Sequence, residues 1–334
     1  MFRLLVDSHI PFVQECFPKH FKIETYDLND QVKERLTDKD ILVCRSTLHV
    51  TKELLNHSHL SILATASSGT NHIDKNALSH QNIQLFSGRG ANAPAVCDYV
   101  TSCLAYLELH QHIKQKKLAI VGYGAVGNML YNRLRVLGFE LGVYDPFVST
   151  PNTIAFSDLA NFPIICLHPN YHQDQPYPSH HLLSSQNIGV LPKDVIIINA
   201  ARGHIVEEEA ILSPQFKGLY CCDVFAHEPD INPELVAKAT LCTPHIAGHS
   251  IDSKKRITQK LSEQIHEFLK LPIPEFKESI IKEDITSSDD WQNQALKHYN
   301  PEAETIALKQ TPTAQQFVLL RGAHRFRTDF PWRF

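Results

Sequence analysis

The stretch "KLAIVGYGAVGNMLYNRL", residues 117–134, decides the fold. An apolar, strand-like run, Leu118 to Val121, leads straight into glycines at 122, 124 and 127, and a helix-like pattern follows at once. A G-x-G-x-x-G triplet alone says little, but between a strand and a helix each glycine has a job. The first permits a tight turn, the second lets a pyrophosphate approach the backbone, and the third lets helix and strand pack closely. The helix N-terminus, with Ala125 and Val126 in its first turn, then faces the phosphates. The next strand-like run, "ELGVYD", ends in Asp145, 18 residues after Gly127. An acid at about that offset binds ribose hydroxyls and repels a 2′-phosphate, which selects NAD over NADP. The competing reading of Asp145 is a residue that merely opens the turn before Pro146.

The same rhythm extends in both directions. Upstream, "FRLLVD", "KIETYD", "ILVCRS", "LSILATAS" and "IQLFSG" alternate with helix-like segments; downstream, "FPIICLHP", "KDVIIINAARG", "GLYCCDV" and "ATLCTPHIAG" do the same. Such alternation predicts α/β architecture with parallel sheets. A helix is expected from Ala93 to His112, and another through "SIDSKKRITQKLSEQIHEFLKL" with Ile257, Leu261, Ile265 and Phe268 on its apolar side. The expected domains are 1–94 with 252–280, a Rossmann unit over 95–251, and a C-terminal segment over 281–334. That last segment is polar and proline-interrupted, the composition of a mobile appendage, yet its aromatic and Arg-rich end favours docking instead.

With 334 residues the chain suffices for two domains. A net charge of −4 leaves no cationic excess for nucleic acid or an anionic membrane. "MFRLLVDSHIPF" meets Asp7 too early for a signal-peptide core, and no run approaches the roughly 18 apolar residues of a membrane span, so a cytoplasmic protein is expected. Eight scattered cysteines without a C-x-x-C pair read as reduced, buried thiols. The histidine pairs His57/His59, His110/His112 and His180/His181 lack Cys or carboxylate at ligand spacing, so no metal site is expected.

Ligands of such sheets sit beyond the carboxyl ends of the strands. Three later strand-like runs end in Arg202, Asp223 and His245. A histidine titrating near neutrality suits removal of a hydroxyl proton as a hydride leaves, which makes His245 the candidate acid/base. Glu228 could hold its imidazole in one tautomer, and Arg202 could grip a substrate carboxylate with two parallel hydrogen bonds. Each has a plainer alternative: a surface ion pair for Arg202, a solvated loop acid for Glu228, a core histidine for His245.

The motifs "GYGAVG", "NAARGHIVEEEAI", "DVFAHEP" and "TPHIAG", in that order, resemble the NAD-dependent D-2-hydroxyacid dehydrogenases. The resemblance implies a flavodoxin-like substrate domain and a Rossmann NAD-binding domain, both doubly wound parallel sheets, plus a short C-terminal segment. It makes Arg202, Glu228 and His245 catalytic, places Asp223 at the nicotinamide end, and adds Ala200 and Gly248 to the cofactor contacts. "LLVDSHIPF", "CRSTLHV", "TASSGTNHID" and "GANAPAVCDYV" resemble segments of members that act on a small phosphorylated 2-hydroxyacid. By that match Ser46 and Ser67 bind substrate, Arg45 partners its phosphate, and a homodimer is expected. Two departures stand out: His168-Pro169-Asn170 replaces a His-Thr-Pro, and His249 replaces a tyrosine, keeping a hydrogen-bond donor toward substrate. Alternatives are a related dehydrogenase of phosphoglycerate or hydroxypyruvate/glyoxylate type, and a non-catalytic NAD-sensing, corepressor-like protein.

Overall fold

The computed structural model describes residues 1–56, 58–150, 152–276, 290–324 and 327–332. His57 and the junction 277–289 therefore lie outside the described residues. The chain divides into two units, Met1–Asn92 with Ser250–Ile281, and Ala93–His249 with Lys282–Phe334.

In the first unit, β1 (Phe2–Asp7), β2 (Phe21–Tyr26), β3 (Ile41–Cys44), β4 (Ile62–Thr65) and β5 (Gln84–Ser87) form one sheet in the order β2-β1-β3-β4-β5. All pairings are parallel. β3 and β4 are buried along their whole length, as strands covered on both faces must be, and this is why they read as unbroken apolar runs. The helix Ile251–Phe268 opens on Ser250, whose side chain accepts from Ser253 N–H, and packs Leu261 and Ile265 against β1, β3 and β4. Phe268, expected on that inward stripe, is instead 51% exposed: it stands in the last helical turn, where its ring makes a T-shaped contact with that of Phe86.

In the second unit, β6 (Lys117–Val121), β7 (Glu140–Tyr144), β8 (Ile164–Leu167), β9 (Ile196–Asn199), β10 (Leu219–Cys222) and β11 (Leu241–Cys242) take the order β11-β10-β9-β8-β6-β7, again all parallel. The chain leaves β6 for β7 on one side and returns to β8 on the other, so the strand order reverses between β6 and β8. Crevices at such switch points hold ligands. The helix Ala93–Leu109 buries almost its whole surface, including Tyr99, Cys103 and Leu104.

The C-terminal segment packs within this second unit. Its helices Trp291–His298, Glu302–Gln310 and Ala314–Ala323 bury Trp291, Ala295, Leu308 and Phe317. Arg133 and Asp98 form a buried ion pair at 2.6 Å, and Asp98 also accepts from Phe330 N–H at 2.8 Å, tying the chain end to the helix Ala93–Leu109. All eight cysteines are buried and unpaired. Among the described residues no helix is long and apolar enough to cross a membrane.

Candidate active site

The glycine turn meets the steric demands of a dinucleotide. Gly122 has φ +92, and a Cβ there would stand 2.6 Å from Pro169 N, while one on Gly127 would collide with the Gly122 carbonyl. Gly124, by contrast, faces open space, as the backbone under a pyrophosphate must. The helix Ala125–Val136 starts there. Beside it a cavity of about 210 Å³ is lined by Val121, Gly122, Tyr144, Asp145, Pro169 and Leu182, among others. Asp145 is fixed by two backbone donors, Tyr123 N at 2.7 Å on Oδ2 and Phe147 N at 2.9 Å on Oδ1. The turn and the ribose-binding readings of Asp145 are thus compatible, since each carboxylate oxygen retains acceptor capacity. The carboxylate's negative charge, at the wall of this cavity, repels other anions.

At the same carboxyl edge, the loops after β9, β10 and β11 bring three expected residues into one neighbourhood. His245 Nδ1 and Glu228 Oε2 are 2.6 Å apart. Glu228 Oε1 accepts from Phe225 N–H at 2.9 Å, so the carboxylate is held from both sides. Burial alone would raise the Glu228 pKa, but His245, the backbone bond and Arg321 outweigh it and hold it below the ordinary glutamate range. Arg202 follows β9, and one of its terminal nitrogens donates to Ala201 O at 2.7 Å. Burial lowers its pKa while Glu228 opposes that shift, placing the guanidinium within electrostatic reach of the histidine's partner.

His245 sits at φ +56, a left-handed backbone that non-glycine residues avoid. Asp223 overdetermines that turn. Its carboxylate is 1% exposed and accepts from Thr243 Oγ1 at 2.7 Å, Ile246 N at 2.7 Å and Ala247 N at 2.8 Å. The structure thus gives Asp223 a positioning role, fixing the loop that carries His245, beside the cofactor contact expected of it. Ala200 follows β9 partly buried, and Gly248 lies in the His245 turn. The ring of His249 lies 6.2 Å from that of His324, which puts His249 beside the C-terminal segment.

In the first unit the expected substrate residues also follow carboxyl strand ends. Arg45, after β3, donates through Nε to the buried Asp7 at 2.8 Å. Ser46 is exposed in the same turn. Ser67, after β4, donates to Gly69 O at 2.6 Å and lies 2.9 Å from Thr65 Oγ1. Two cations went unrecognised in the sequence. Lys254, in the first turns of the helix Ile251–Phe268, has its pKa lowered to about 8 by burial and by Arg45. Arg321, in the helix Ala314–Ala323, approaches Glu228 Oε2 to 3.9 Å. Neither belongs to a motif, and only folding brings each to its partner.

Residues 105–247 match the family model "D-isomer specific 2-hydroxyacid dehydrogenase, NAD binding domain". An erythronate-4-phosphate dehydrogenase of Legionella pneumophila is 41% identical over 332 residues, 98% of this chain and 95% of that protein. The chain belongs to the erythronate-4-phosphate dehydrogenase family. A member from Psychromonas ingrahamii is 32% identical over 278 residues, 80% of this chain and 73% of that protein. The fold recurs in NAD+-bound 3-phosphoglycerate dehydrogenase of Entamoeba histolytica at 22% identity, with a TM-score of 0.68 over 80% of this chain and 95% of the other. The chain is an NAD-dependent 2-hydroxyacid dehydrogenase with two parallel-sheet α/β domains.

Proposed function

We propose that this protein oxidises 4-phospho-D-erythronate at C2 to (R)-3-hydroxy-2-oxo-4-phosphooxybutanoate, using NAD, in pyridoxal 5′-phosphate (vitamin B6) biosynthesis. The observation that carries the reading is the 2.6 Å His245–Glu228 hydrogen bond at the carboxyl edge of a sheet whose glycine turn suits a dinucleotide. Family membership supplies the substrate. The turn of Gly122, Gly124 and Gly127 would hold NAD, which would supply the hydride acceptor for C2. His245 Nε2, on the ring side opposite Glu228, takes the C2 hydroxyl proton, and Glu228 stabilises the imidazolium that results. Arg202 holds the substrate carboxylate, and Asp223 keeps the His245 turn in place. We assign the phosphate end to Arg45, Ser46 and Ser67, with Lys254 adding charge and His249 recognition. A cytoplasmic homodimer completes the reading; eight unpaired buried thiols support a reducing compartment.

The test is NADH formation from 4-phosphoerythronate with the keto product trapped, since oxidation of a hydroxyacid by NAD is uphill. Equal activity on erythronate without its phosphate, or a preference for 3-phosphoglycerate, would overturn the substrate assignment. No activity on any 2-hydroxyacid despite NADH binding would point to a sensor. Glu228→Gln keeps the shape but removes the negative charge that faces the imidazolium formed on proton transfer. Turnover should fall about tenfold or more in both directions, with NADH affinity unchanged. Turnover like wild type would deny Glu228 its electrostatic role.

A further inference from the structure

Outside the catalytic residues, the second unit gathers imidazoles. His180 and His181 are a local pair, and the fold delivers His204, 23 positions further on, to the same place. One ligating atom from each lies within 4.8 Å of the others, and all three side chains are half-buried. Consecutive side chains normally diverge, but His181 adopts φ +49, and the two rings stack at 3.9 Å with 20° between planes. The His227 ring stands 5.5 Å from that of His204.

The backbone beneath is pinned. His181 N–H donates to His204 O at 2.8 Å, Leu183 N–H to Ile205 O at 3.2 Å, and Glu207 N–H to Leu183 O at 2.9 Å. His180 Nδ1 lies 3.3 Å from Tyr171 Oη, a contact that orients the ring as a second partner does behind a ligating histidine. Zinc–nitrogen bonds of about 2.0–2.1 Å need ligand nitrogens roughly 3.4 Å apart, so the three imidazoles must draw together from separations of up to 4.8 Å on binding.

We propose that His180, His181 and His204 form a binding site for a divalent transition-metal ion of the zinc class, with His227 or water completing four-coordination. Sequence spacing hides the site because the third ligand comes from a different strand connection. Its position is consequential: His204 stands two residues beyond Arg202, and His227 immediately precedes Glu228. An ion held here braces both catalytic loops from outside the reacting atoms.

The test titrates ZnCl2 into chelator-stripped full-length protein by calorimetry. Wild type should take up one tight equivalent, weakened about tenfold or more by His204→Ala and by His181→Ala. A His110→Ala/His112→Ala control, removing an exposed pair elsewhere, should bind as wild type does. Circular dichroism of each variant separates ligand loss from misfolding, and the milder His180→Gln gives a second reading if an alanine variant is unfolded. Absence of a tight equivalent in wild type, or undiminished affinity in folded His204→Ala and His181→Ala proteins, would overturn the site. None of these readouts depends on the substrate, so failure of the metal site leaves the dehydrogenase assignment untouched.

Discussion

His245→Asn is expected to lower turnover by about 10²–10⁴-fold, some 3–5 kcal/mol of barrier, while NADH affinity stays essentially unchanged. Asparagine can still donate a hydrogen bond toward Glu228, so the carboxylate keeps a partner, but it cannot take the C2 hydroxyl proton. The turn itself should survive. Its geometry is fixed by Asp223 through Thr243 and the amides of Ile246 and Ala247, none of which involves the imidazole. Stopped-flow oxidation of the hydroxyacid together with NADH fluorescence titration separates the two effects. Turnover like wild type would remove His245 from the chemistry, and lost NADH binding would show instead that the ring supports the cofactor site.

Both sheets were legible in the sequence because buried parallel strands are continuous apolar runs, as in "IIIN" and "LYCC". The glycine triplet then ranked one sheet as the nucleotide binder. Residues at strand ends were legible for the same reason: Arg202, Asp223 and His245 each follow such a run, and all parallel strands deliver their ends to one edge. What escaped was whatever depends on long-range pairing. Asp223 looked like a ligand contact, yet its oxygens serve the His245 turn some 20 residues on, a bond pattern no local spacing reveals. Arg321 and His204 act through partners brought near only by the fold. The polar C-terminal segment concealed its anchoring because its large buried helical side chains, Trp291, Leu308 and Phe317, lie one apiece on three separate short helices.

Arg327 shows how strongly that segment is attached, and Arg327→Met is expected to cost about 4 kcal/mol of stability. The guanidinium is buried and donates to three backbone carbonyls at 2.8 Å each, those of Ala95, Ala247 and His249, while its Cζ lies 4.6 Å from the Tyr299 ring centre. Bonds from a charged donor contribute about 1.5–3 kcal/mol apiece, though three sharing one donor do not add fully. Methionine fills most of the volume and supplies no donor, leaving acceptors that water reaches poorly. At about 2–4 °C per kcal/mol for a unit of this size, the unfolding midpoint should drop by about 10 °C. Turnover should fall too, because the Ala247 and His249 carbonyls flank Gly248 in the turn that carries His245. Arg327→Lys should recover only part of the stability, since an ammonium cannot reproduce the planar fork that spans three acceptors. A midpoint within about 2 °C of wild type in Arg327→Met would mean that the C-terminal segment does not hold the catalytic turn.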